Sequence, residues 1–336
     1  MKWPTWREAM EQALYGPDGF FRRERPADHF RTSVHASELF AAAFGRLADR
    51  CGVRAVIDIG AGSGEFLAAL ARHSPSLDLV GVELATRPPD LPSAINWVPE
   101  LPDGVDQALI VANEWLDNIP VDVAEVGEDG RPLLVHVDPA TGDEALGNPL
   151  TSDDADWLDT WWPLDGSKQG NRAEIGSSRD VAWAGVVSRV RHAVLIAIDY
   201  SHRRGDRPPY GSLAGYRDGR AVRPVPDGSC DITAHVALDA CAAAGEAAGA
   251  TGTMLMTQQL ALRRLGINAT LPPRDLATSD PPAYVAALSR TSEAAELLDD
   301  AGLGRFEWLV QAVGTHVPEL LGQPGSARAG GSSSSA

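Results

Sequence analysis

The sequence predicts an α/β fold built on a mostly parallel seven-stranded sheet, and three observations predict it. Arg54–Glu65 reads RAVIDIGAGSGE, an apolar run of Val56, Ile57 and Ile59 directly before Gly60, Gly62 and Gly64. A β-branched run without polar alternation is the pattern of a strand buried on both faces, and glycines let the backbone turn sharply beside a ligand. The next segment, GEFLAALARHSP, sets Phe66, Leu67, Leu70 and Ala71 on one helical face and stops near Pro75, so strand, glycine turn and helix form one unit. Six further strands follow at LDLVGVELA, INWVPEL, QALIVA, HAVLIAIDY, TGTMLMTQ and GRFEWLVQAVG, and one uninterrupted sheet accommodates them all.

Taken in order, Trp6, Met10, Ala13 and Leu14 recur at helical spacing until Gly16 and Pro17 break the pattern. The loop FFRRERPADHFRTSVHAS is either a plain surface loop or a lid over the glycine turn. Its Thr32 and Ser33 either bond locally or touch a cofactor; His29 and His35 are either solvated or bases active near neutral pH. From Ser37, a plausible N-cap, a helix presents Leu39, Phe40, Ala43, Phe44 and Leu47 on one face.

The glycine spacing selects the ligand. A dinucleotide fingerprint needs glycine at position 65, where Glu65 stands; alternating glycines after Asp58 have the spacing of an S-adenosylmethionine site. Glu83 ends the second strand, the position of an acid that holds ribose hydroxyls, although a solvated glutamate beside an ordinary αβ turn is the plainer alternative. The fourth strand ends in Asn113, Glu114 and Asp117, polar groups at the carboxyl end of a parallel strand, where open α/β sheets bind ligands.

From Val121, VDVAEVGEDGRPLLVHVDP alternates about a DG turn and predicts a hairpin inserted after the fourth strand. Trp157, Trp161, Trp162 and Trp183 are expected to pack this insertion against its parent domain. A helix from about Ser178, with Trp183, Val186, Val187 and Val190 inward, returns the chain to the sheet. The fifth strand ends in Asp199 and Tyr200, which either line the substrate cleft or simply close the strand. Asp231 or Thr233 is expected to cap an alanine-rich helix, and QLALRRLG forms another helix between the last two strands. The expected division is residues 1–50 (helices and lid loop), 51–120 (cofactor half), 121–190 (insertion), 191–320 (second half of the sheet) and 321–336 (disordered tail).

Composition narrows the function. A formal charge of −17 argues against a phosphate-binding footprint for nucleic acid and suits a cationic substrate. Three cysteines, Cys51, Cys230 and Cys241, are too few for a disulfide framework and fit a reducing cytoplasm. The first residues carry scattered charges unlike a signal peptide, and no stretch approaches the ~20 apolar residues of a membrane span.

In their order, these segments resemble the MidA methyltransferases, whose mitochondrial member methylates an arginine on a subunit of respiratory complex I during assembly. The likeness runs from about Leu14 to Val313 through YGPDGFF, HFRTSVHAS, DIGAGSGEF, NEWLDNIPV, GNRAEI, IDYSH, GSLAGYRDG, CDITAHV and TQQLALRRLGI. His29, Val34 and His35 depart from the family's loop, and Ala214 replaces an arginine. The resemblance implies a class I Rossmann-like sheet with an antiparallel last strand, S-adenosylmethionine held by Asp58, Gly60, Gly62, Gly64, Glu83, Asn113, Thr32 and Ser33, and no metal. It implies an arginine acceptor, with a small-molecule methyltransferase or an inactive methyltransferase-shaped assembly protein as alternatives. Because an in-line displacement at a cationic nitrogen needs a carboxylate to orient it and take its proton, Glu114 and Asp117 are the candidate catalytic residues and Glu174 a second-tier one.

Overall fold

The computed structural model describes residues 3–23 and 38–321. Helix α1 (Trp6–Met10) widens into a π-helical turn at Glu11–Tyr15, and α2 (Phe20–Arg23) follows. Next come α3 (Glu38–Cys51), β1 (Ala55–Ile59), α4 (Glu65–His73), β2 (Asp78–Val82), β3 (Ile95–Val98) and β4 (Val105–Asn113). The insertion holds β5 (Asp122–Val126), β6 (Pro132–Val137), β7 (Glu144–Pro149), α5 (Ser152–Trp161) and β8 (Arg172–Ile175). Helix α6 (Ser177–Ser188) and β9 (Val190–Asp199) rejoin the main sheet before a second excursion, β10 (Ala214–Arg217), β11 (Arg220–Val222) and β12 (Asp231–Thr233). The chain ends with α7 (Leu238–Ala247), β13 (Gly252–Thr257), α8 (Gln258–Arg264), α9 (Leu276–Ser279), α10 (Pro281–Leu297) and β14 (Glu307–Val313).

The main sheet has seven strands in the order β13-β14-β9-β4-β1-β2-β3, and β14 runs antiparallel to both its neighbours. From β1 the chain winds outward through β2 and β3, then crosses back to place β4 on β1's other side. This reversal is a topological switch point, which opens a crevice at the carboxyl ends of β1 and β4.

Side chains along each central strand alternate between two buried layers. Val56, Leu109 and Val111 join Phe40, Phe44, Phe66 and Trp308 on one face, whereas Ile57, Ile59 and Ile110 join Trp183, Val187 and Leu195 on the other. The expected face of α3 is the buried one, with Phe40, Ala43, Phe44 and Leu47 fully enclosed.

The inserted hairpin is half of a four-stranded antiparallel sheet, β7-β6-β5-β8. Trp157 and Trp162 pack the insertion's Leu158 and Leu164 against Ala240 of α7, in the parent domain as expected, whereas Trp183 belongs to the central core. The first helix does not continue to Leu14 as an α-helix: the π turn inserts extra backbone and swings Tyr15 towards the loop after β4, where its hydroxyl donates to the Asn118 carbonyl at 3.2 Å. Trp6, Met10, Leu14 and Phe20 pack on Val123, Val137, Cys230 and Ile232, so the N-terminal turns are seated on the two smaller sheets. Asp231 and Thr233 do not cap α7. They form β12, and α7 starts five residues after Thr233, at Leu238, without a side-chain cap. Thr32, Ser33, His29, His35 and the expected N-cap Ser37 lie outside the described residues. Among the described residues no helix is long and apolar enough to cross a membrane.

Candidate active site

A cleft of about 1190 Å³ opens at the switch point. Its lining brings together Asp58, Gly60, Gly62, Glu83, Asn113, Glu114 and Asp117, and adds Tyr15, Trp115, Asn118, Asp231 and Thr233.

One wall is the glycine turn. Gly60, Gly62 and Gly64 all have positive φ, at 70°, 55° and 80°, a region that side chains with a Cβ rarely enter. The three have different tasks. A Cβ on Gly60 would lie 2.7 Å from Trp115 Cδ1, and one on Gly64 2.7 Å from Leu91 Cδ1, so both are fixed by packing. Gly64 precedes α4 and is not part of the cleft lining. A Cβ on Gly62 would meet nothing within 4 Å, because it would project into the cleft.

Glu83 ties this turn to the end of β2. Its Oε2 accepts from the Gly62 N–H and its Oε1 from the Ala85 N–H, both at 3.0 Å. A carboxylate has about four acceptor positions, so each oxygen retains one for a ligand hydroxyl. Asp58 ends up 5% exposed at the cleft, and burial, with Glu83 and Glu65 adding repulsion, holds its carboxyl well above the ordinary range. A cation beside it would restore its charge. An open cradle at Gly62, spare acceptors on Glu83 and an uncompensated acid at Asp58 fit a ligand carrying hydroxyls and an ammonium group, as S-adenosylmethionine does. The cleft exceeds the ~300–1,000 Å³ typical of a small-molecule site, which leaves room for a second reactant.

The loop after β4, with Asp231, adds an acidic wall. Glu114 sits directly after β4 at φ 52°, a costly conformation for a residue with a Cβ, held by its N–H donating to the Ile198 carbonyl at 2.8 Å. Asn113 Nδ2 donates to Glu114 Oε1 at 3.1 Å, and the buried Asn113 Oδ1 has no donor among the described residues. Asp117 is 5% exposed and accepts at Oδ2 from Thr233 Oγ1 at 2.8 Å. Asn118 Nδ2 donates to Asp231 Oδ1 at 2.9 Å, and burial beside Asp117 pushes the Asp231 carboxyl up to about 8. Tyr15 is raised above its ordinary value by burial and by Asp231 and Asp117.

Beneath this wall lies Arg179, 1% exposed, which grips three backbone carbonyls: Asp117 at 2.6 Å, His235 at 2.9 Å and Ile119 at 3.3 Å. It fixes the loop after β4 against the segment after β12. Glu174 has a similar task rather than a place in the cleft: buried, it accepts from the Ser212 and Leu213 N–H groups at 2.7 and 3.1 Å and shapes the approach to β10. Sequence reasoning missed Arg179, although a lone arginine within the apolar helix SSRDVAWAGVV is a signal of a buried, fully bonded charge. It also missed Tyr15 and Asp231, whose roles depend on the π turn and on β12.

Comparison with known proteins bears on the same region. No curated protein matches the chain. Two solved structures from Burkholderia thailandensis share the fold: a "likely methyl transferase" bound to S-adenosyl-homocysteine, and a native crystal structure of an uncharacterized protein of the same superfamily. Each is 24% identical, with a TM-score of 0.77, covering 96% of this chain and 91% of the other. The model of the family described as "Putative S-adenosyl-L-methionine-dependent methyltransferase" matches residues 40–255, which hold the glycine turn, Glu83, Glu114, Asp117 and Asp231 and well over half of the chain. The chain therefore belongs to this family: it is an S-adenosyl-L-methionine-dependent methyltransferase, and S-adenosyl-L-methionine is its cofactor.

Proposed function

We propose that the acceptor is a cationic nitrogen, foremost the guanidinium of an arginine side chain in a protein. The observation that carries this reading is the acidic wall, where Glu114 and Asp117 line the same cleft as the glycine turn with Asp231 among them. The resemblance to the MidA methyltransferases supports the same acceptor.

When bound, S-adenosylmethionine supplies an electrophilic methyl group on a sulfonium. In this reading Glu83 holds the ribose hydroxyls with its two spare acceptor positions, Asp58 pairs with the ammonium of the methionine part, and Gly60, Gly62 and Gly64 keep the turn open for it. Asn113 presents a buried Oδ1 in need of a donor. Thr32 and Ser33 belong to the same proposal from outside the described residues. The Burkholderia protein's S-adenosyl-homocysteine supports a ligand of this kind at the switch point. Glu114 and Asp117 orient the cation, strip it of water and accept its proton, and orientation at near-attack distance is the main source of rate. The compartment proposed is the cytoplasm.

The test is transfer of labelled methyl from S-adenosylmethionine into a cell lysate. Label on methylated arginine after hydrolysis of the protein fraction is the expected result. Label confined to the small-molecule filtrate would replace the protein acceptor with a metabolite. No label from a protein that binds the cofactor would favour a non-catalytic assembly role.

A further inference from the structure

Asp117 reaches the cleft at the end of a buried polar cluster. Asp199, at the end of β9, is fully enclosed; its Oδ2 accepts from the Leu116 N–H at 3.0 Å. Asp117 Oδ2 is taken by Thr233. The remaining oxygens, Asp117 Oδ1 and Asp199 Oδ1, are both buried and have no donor among the described residues, and Asp199 Oδ2 sits on the N–H of Leu116, the residue next to Asp117, so the two carboxyl groups are neighbours. Two bare carboxylates in contact repel in a dry setting, whereas one proton between them satisfies both. The charge balance agrees. Arg179 lies in the field of both acids but spends its N–H groups on backbone carbonyls, so it offsets one negative charge without neutralising either carboxylate by contact. The other groups around the pair are Glu114, Asp231, Tyr15 and Tyr200 towards the cleft and Cys241 behind Asp199. All of these are acids or neutral, and among the described residues named around the pair Arg179 is the cation.

We propose that Asp117 and Asp199 share a single proton, and that the resulting monoanion, backed by Arg179, is the group that selects a cationic acceptor and takes its proton. Asp117 is the catalytic member, and Asp199 and Arg179 position it. The electrons of the acceptor's N–H bond stay on nitrogen as the proton passes to the pair. Nitrogen forms the N–C bond, and the C–S electrons remain on sulfur. The acceptor regains its positive charge, the pair becomes neutral, and the extra proton leaves to water. This rests on the cationic-acceptor reading above.

The experiment follows the Asp117 and Asp199 carboxyl carbons by NMR in protein labelled with ¹³C at aspartate Cγ, from about pH 4 to about pH 9. The two resonances are expected to move together in two shared steps, with one proton on the pair at neutral pH. In Asp199→Asn the amide replaces the shared proton as donor to Asp117, which then titrates alone in one step. Should Asp117→Asn fail to fold, both resonances are assigned in wild-type protein by correlation with their backbone amides. In parallel, binding of S-adenosylhomocysteine is compared with that of sinefungin, which carries an ammonium in place of the sulfonium methyl. Asp117→Asn is expected to weaken sinefungin tenfold or more and to leave S-adenosylhomocysteine unchanged. Independent titration of the two acids, two protons on the pair at neutral pH, or equal sinefungin affinity in Asp117→Asn overturns the proposal. Methylated arginine together with independent titration would sink the shared proton alone; a shared proton with methyl found only on oxygen would sink the cationic acceptor alone.

Discussion

Replacing Glu83 with alanine tests the cofactor wall most sharply, because both carboxylate oxygens already carry one backbone bond each. If the two spare acceptor positions hold ribose hydroxyls, Glu83→Ala removes two charge-assisted hydrogen bonds, each worth roughly 1.5–3 kcal/mol. The expected loss is roughly 3–6 kcal/mol, or about two to four decades in Kd at about 1.4 kcal/mol per decade. The Gly62 and Ala85 N–H groups, left without their acceptor, turn to water in a half-buried loop, so folding stability is expected to fall by only ~1–2 kcal/mol. Calorimetric titration with S-adenosylhomocysteine, alongside thermal unfolding, separates the two effects. Glu83→Gln keeps one oxygen and faces an amide N–H with a donor, so it is expected to fall between wild type and alanine. A Kd in Glu83→Ala within about threefold of wild type would show that the carboxylate only braces the turn, and would remove the ribose from its role.

The remaining predictions test packing and charge. Gly62→Ala is expected to cost ~1–2 kcal/mol of stability for its left-handed backbone and to cut S-adenosylhomocysteine affinity about tenfold, since its methyl enters the cleft; calorimetry checks both. Gly60→Ala adds a clash with Trp115 to the same strain and should lose roughly 2–5 kcal/mol in denaturant unfolding. Asp231 binds its proton more tightly when folded than when unfolded, so its contribution to stability is complete below about pH 4 and is lost as pH rises through about 8. Asp231→Asn, which keeps an acceptor for Asn118, should flatten the fall in unfolding free energy across that window and make the variant the more stable protein at its upper end. Arg179→Met leaves three backbone carbonyls and two buried acids without their donor and counter-charge, an expected loss of roughly 3–5 kcal/mol in denaturant unfolding.

The central sheet was legible because strands buried on both faces must be apolar locally: the runs around Val56, Ile110 and Leu195 announce themselves without any partner. The same holds for α3, whose enclosed face follows directly from its spacing. The π turn was not legible, because Trp6, Met10, Ala13 and Leu14 fit an ordinary helix equally well, and the widening is imposed by seating on the smaller sheets. Two local signals were present and passed over. Asp218 and Gly219, both with positive φ, make the tight turn between β10 and β11, and the sequence Asp-Gly there is a hairpin signal. Asp280 followed by Pro281 starts α10, with the aspartate accepting from the Ala283 N–H. The site divides the same way. Asp58, the glycines, Glu83, Glu114 and Asp117 sit within a few residues of strand ends, where position along the chain reveals position in space. Arg179 acts on carbonyls roughly 60 residues away in both directions, a relation that no local pattern encodes.

Two members of the acidic wall, Tyr15 and Asp231, stand apart from the core that carries the rest of the cleft. Asp58, the glycine turn and Glu83 are rooted in the central sheet, whereas Tyr15 and Asp231 stand on segments whose neighbours, Leu14, Cys230 and Ile232, pack with the smaller sheets. A substitution at Tyr15 or Asp231 therefore disturbs little that the glycine turn depends on. The glycine turn and Glu83 can therefore be inherited intact while positions 15 and 231 drift. Descendants that keep positions 58–65 and 83 but vary at 15, 118 and 231 are expected to share a donor and to have parted over what they methylate.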